Sequence, residues 1–99
     1  MKPKLLFQEL TKIANDSGIK VRKDILKSRG GYCLLDDNKL IILNKMLPDE
    51  THCRILAKCI AELNLHQASG FIVPAVRQYI ENEYSLIIDN SKIEINIVE

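Results

Sequence analysis

At 99 residues the chain has the length of one domain, residues 1–99, with room for a single modest core. Its 46% apolar and 27% charged residues exclude a disordered chain, and no apolar run approaches the roughly 18–20 residues of a membrane span. Net charge is only +1 but unevenly placed: residues 1–30 hold eight Lys/Arg against three acids, residues 31–99 six against ten.

Leu6, Phe7, Leu10, Ile13 and Ala14 recur at helical spacing and predict a first helix over residues 3–16. Pro3 suits its first turn and Gly18 its C-terminal stop. Ile19 and Val21 alternate with Lys20 and Arg22, a short strand over 19–22. Gly30-Gly31 punctuates the chain, and residues 31–36 and 39–44 then read as a β-hairpin turning at Asp37-Asn38, with Asp36 facing Lys39. Leu40-Ile41-Ile42-Leu43 is apolar on both faces, which predicts the most buried strand.

Pro48-Asp49-Glu50 marks a helix start, with acids at the positive end of the dipole, and predicts a helix over 48–65. Another starts at Pro74, with Val76, Ile80 and Tyr84 spaced by fours. Ile93, Ile95 and Ile97 alternate with Lys92, Glu94 and Asn96, predicting a strand hairpinned to Leu86-Ile87-Ile88. The expected fold is α+β: a small antiparallel sheet packed against two or three helices, with a C-terminal β-hairpin.

The stretch from Lys39 to Leu65 carries the most information. An apolar strand ends in Asn44, Leu47-Pro48 follows, and a helix reads Arg54-Ile55-Leu56-Ala57-Lys58-Cys59-Ile60-Ala61-Glu62-Leu63. This resembles the core of the ImmA/IrrE-type zinc metallopeptidases, regulators that cleave repressors in stress and mobile-element control. In that family an apolar strand leads through Leu-Pro to a helix carrying Leu-Ala-His-Glu-x-x-His. The resemblance covers about a quarter of the chain closely and residues 19–80 loosely. It implies a degenerate site, because the two His positions are Lys58 and Glu62 and the general-base position is Cys59. Zinc peptidases of this kind need two neutral imidazoles one helical turn apart and a carboxylate to activate the bound water. Lys58 and Glu62, at i and i+4, are expected to form an ion pair where the metal would sit. No catalytic residue, metal or other cofactor is therefore expected.

His52, Cys59 and His66 line one helix face, but seven residues advance about 10.5 Å, too far to share one ion. Both histidines fall near helix ends and are expected in water, and Cys59 is expected in the core. The three cysteines form no Cys-x-x-Cys pair, so reduced thiols in a cytoplasmic protein are the reading. Lys20, Arg22, Lys23, Lys27 and Arg29 form a basic stretch with no aromatic interleaving beyond Tyr32, which favours a solvated face over a nucleic-acid surface.

The leading expectation is a non-enzymatic interaction or regulatory domain with a protein partner or a second copy of itself, the interaction carried by Ile93, Ile95 and Ile97. One alternative is a residual enzyme or metal site using Cys59, Glu62 and a histidine from elsewhere. Another is weak nucleic-acid binding through the basic N-terminal third.

Overall fold

A computed structural model of the chain describes residues 1–86 with their side chains and carries the last helix to Val98. Its elements run α1 (Pro3–Asp16), β1 (Lys20–Asp24), β2 (Gly30–Leu35), β3 (Asn38–Asn44), α2 (Asp49–Glu62), α3 (Leu65–Ala68) and α4 (Pro74–Val98). The α+β class is as expected. The expected C-terminal hairpin of Leu86–Ile88 with Ile93–Ile97 falls, beyond Leu86, on residues whose side chains lie outside the described residues.

Helix α1 buries Leu6, Leu10, Ile13 and Ala14, one stripe of an amphipathic helix. Pro3 occupies its first turn. At the other end Gly18 takes φ +81°, Ile19 N–H donates to the Ala14 carbonyl at 3.0 Å, and Gly18 N–H donates to that of Asn15 at 2.9 Å. This double closure is a Schellman stop, and it hands Ile19 straight into the core beside Ala14.

The sheet has the order β1-β3-β2, so the Leu40–Leu43 run is central, as its two-sided apolar pattern predicts. Ile41 and Leu43 join the core cluster under the helices, while Leu40 and Ile42 occupy the opposite pleat. The sheet is mixed, not antiparallel throughout: β2 runs antiparallel to β3, but β1 runs parallel to it, from Lys20 opposite Leu40 to Asp24 opposite Asn44. The five-residue loop 25–29 produces this arrangement. It crosses the end of β3, a span of about 10 Å for two strand spacings, and brings the chain back as β2 opposite Leu43. Asn44 pins the crossing by donating through Nδ2 to the carbonyls of Leu26 (3.1 Å) and Ser28 (3.0 Å). Hydrophobic alternation reads which face a residue takes, not which way its neighbour runs.

The hairpin turn also sits one residue earlier than expected. Asp36 and Asp37 hold φ +50° and +68°, and Leu35 pairs with Asn38, so Lys39 lies opposite Leu34 rather than Asp36. A two-residue turn with both φ positive matches the twist of the strands it joins, and two aspartates tolerate it as well as Asp-Asn does.

Helix α2 lies between α1 and α4 and packs on β2 and β3. Cys53, Leu56, Ala57, Ile60 and Ala61 form its sealed face. It ends at Glu62, short of the expected Leu65, because Asn64 turns left-handed (φ +56°) and starts the single turn α3. Val76 and Ile80 of α4 close the core from the other side.

Candidate functional site

One turn of α2 separates Lys58 from Glu62, and their side chains meet as the expected ion pair, Nζ to Oε1 at 4.0 Å. Both stand in water, with side chains 58% and 50% exposed. Cys59, about 100° further round the helix, points inward and is 7% exposed. Burial pushes its thiol up to about 11 from the ordinary 9.0, with the Glu62 carboxylate adding to the rise. These three positions thus present an ammonium, a carboxylate and a protonated, sealed thiol. Cys53 is sealed as well, its Sγ–H donating to the Pro3 carbonyl at 3.2 Å, and burial raises its pKa. All three cysteines are free thiols.

The histidines depart from expectation, since both are 2% exposed rather than solvated. His52 lies within 2.7 Å of the Asn44 carbonyl through Nε2 and 6.1 Å from the Phe7 ring, centroid to centroid. A carbonyl only accepts, so Nε2 donates, and the buried Nδ1 has no hydrogen-bond partner among the described residues. The His66 Nε2 lies 3.3 Å from the Gln67 amide nitrogen, and its ring 6.2 Å from that of Tyr84. Each ring therefore has a partner of its own away from the Lys58–Glu62 pair. The start of α2 is exposed at Asp49 and Glu50, and His52 is its first buried residue, facing the end of β3. Asn44 connects these parts. Its side chain holds loop 25–29 and accepts from the Met46 N–H at 3.0 Å, while its carbonyl accepts from His52 Nε2–H. Among the described residues no group of three or more His, Cys, Asp or Glu side chains is placed to hold a metal ion.

Strand alternation divides the basic stretch. Lys20 and Arg22 share the pleat of Leu40 and Ile42, and Arg22 is committed to Asp24 at 2.7 Å. Lys23 takes the other pleat, with Nζ 4.5 Å above the Phe7 ring. Arg29 lies beyond the strand, beside a cleft.

That cleft, about 300 Å³, opens between the start of β2, the exposed face of α2 and α4. Arg29 and Gly30 form one wall, Arg54 and Lys58 another, and Glu83 and Leu86 the third, with Ile55 at the base. Gly30 holds φ +109°, and a Cβ there would collide with the Ile42 carbonyl oxygen, so only glycine lets β2 enter the sheet this close to β3. Arg54 Nε lies 3.5 Å from Glu83 Oε1. Sequence reading singled out Lys58 but not the cleft around it, whose walls come from three separate elements. The legible signal is Arg54 and Lys58 at i and i+4, two like charges on one helix face. No protein-family model, curated protein or solved structure matches this chain. Among the described residues no helix is long and apolar enough to cross a membrane.

Proposed function

We propose that this chain is a non-catalytic, metallopeptidase-like interaction or regulatory module. The observation that supports it is the Lys58–Glu62 ion pair beside a buried Cys59, at the three positions where the resemblance expects two imidazoles and a general base. A protonated ammonium offers no lone pair to a metal, and one carboxylate does not replace two imidazoles. Three free thiols, two of them sealed, fit a reducing compartment such as the cytoplasm. The purified chain, incubated with zinc and desalted, is expected to retain far less than one equivalent by elemental analysis. One equivalent retained, and lost on Glu62→Ala, overturns the reading.

The interaction half of the reading is supported by β2. It is an edge strand that carries no charged residue, and Tyr32, Leu34 and Leu35 are exposed along it. Such an edge offers unpaired backbone groups to another strand. Its occupant in this reading is β2 of a second copy, since an uncharged strand pairs antiparallel with itself across a twofold axis without like-charge contacts. Sedimentation is expected to show a concentration-dependent dimer that Leu34→Lys dissociates. A monomer at every concentration overturns this half and leaves the zinc result standing.

A further inference from the structure

We propose that the cleft between Arg29, Arg54 and Lys58 binds a small phosphate monoester. The walls of the cleft support this binding independently of the metallopeptidase resemblance.

Arg54 and Lys58 stand one turn apart on the same face of α2, and Arg29 reaches the same cleft from the entrance to β2. Like charges at i and i+4 weaken a helix, so the arrangement is unfavourable without compensation. The compensation from carboxylates is loose. Glu83 approaches Arg54 at 3.5 Å and Glu62 approaches Lys58 at 4.0 Å, both beyond the 2.7–3.2 Å of a formed N–H···O bond. Arg29 has no carboxylate partner among the described residues. Arg29, and the donors of Arg54 and Lys58 that these loose pairs leave uncovered, thus face one concave surface.

Three cations against Glu83 leave the cleft walls at net +2, or +1 with Glu62 beside Lys58, a field that favours the roughly −1.5 to −2 of a phosphate monoester near neutral pH over the −1 of a carboxylate. Two guanidinium forks also suit the oxygens of a phosphate better than a point charge does. The volume of about 300 Å³ is at the low end of ligand pockets, enough for the phosphate and a small organic group. Ile55 at the base and the half-exposed Leu86 at the rim give that group an apolar surface. Gly30 leaves the β2 wall without a side chain to obstruct it.

The test is a titration of the full chain, followed by amide NMR shifts, with phenyl phosphate, inorganic phosphate and benzoate at matched ionic strength. Phenyl phosphate is expected to saturate with a millimolar or lower Kd and to shift Gly30 and the Arg54–Lys58 turn. Inorganic phosphate is expected to bind severalfold more weakly, and benzoate more weakly still. Arg29→Gln and Lys58→Gln are each expected to lower phenyl phosphate affinity about fivefold or more, and Arg22→Gln to leave it unchanged. Glu62→Gln, which removes the carboxylate nearest Lys58, is expected to tighten binding about twofold, an outcome that misfolding does not produce. Benzoate binding as tightly as phenyl phosphate, no saturable shift, or equal losses in Arg22→Gln and Lys58→Gln would each overturn the proposal.

Discussion

On one face of α2, His52, Cys53, Leu56, Cys59 and Ile60 are sealed between α1, the sheet and α4; on the other, Arg54, Lys58 and Glu62 stand in water. A helical metal site needs the reverse distribution, with imidazoles and carboxylate converging on an open surface. Here the imidazole of this helix is inside, donating to a strand carbonyl, and the outer face carries fixed charge. A residue type becomes chemistry only when its reactive atom is both uncommitted and reachable. His52 and Cys59 fail the second condition, while Arg54 and Lys58 are reachable and only loosely paired, with Glu83 at 3.5 Å and Glu62 at 4.0 Å.

Emptying the inner face is the largest perturbation that α2 can suffer. Leu56 is fully buried, so Leu56→Ala is expected to destabilise the fold by about 3–4 kcal/mol in urea unfolding. A loss under about 1 kcal/mol would mean that α2 does not seal the core. His52→Ala is expected to cost about 2–3 kcal/mol, because it deletes a buried ring against Phe7 and its hydrogen bond to the Asn44 carbonyl, which keeps only the Leu47 N–H at 3.1 Å.

A third measurement separates the faces by pH. The folded Cys59 thiol titrates at about 11 against the ordinary 9.0, so the folded state keeps a proton that the unfolded chain has already released. The stability this contributes is complete below pH 9 and is lost as pH rises toward 11. Cys53 and Tyr79, the latter raised to about 12, also chiefly by burial, act with the same sign. Unfolding free energy is expected to fall across that window, and to fall less steeply in Cys59→Ala. An identical alkaline slope in that variant would show the thiol to be open to solvent.

The outer face is expected to respond least. Lys58→Ala and Glu62→Ala should each change stability by no more than about 0.5 kcal/mol, as half-exposed i, i+4 pairs do. A loss several times larger, relieved by high salt, would make the ion pair a structural element in its own right.

Much of the candidate site was legible because it lies within one helix. The i, i+4 spacing of Lys58 and Glu62 brings them together wherever α2 packs, and the apolar neighbours of Cys59 turn it inward. The burial of His52 was not legible, since it depends on the Asn44 carbonyl ending a strand eight residues earlier. The cleft was not legible either, because Arg29, Arg54 and Glu83 meet only after the sheet and α4 are both docked on α2.

The same division holds for the whole fold. Hydrophobic period, proline at helix starts and glycine at the end of α1 determined the first helix, the three strands and the starts of α2 and α4, because these depend on contacts between near neighbours in sequence. The parallel pairing of β1 with β3, the one-residue shift of the hairpin turn and the sealing of both histidines were decided by tertiary structure. Side-chain alternation is unchanged by reversing a strand, and Asp-Asp and Asp-Asn turns are nearly equivalent in local energy. The bonds that Asn44 makes across the sheet end accompany the strand crossing and the burial of His52, both of them contacts between residues eight or more apart in sequence.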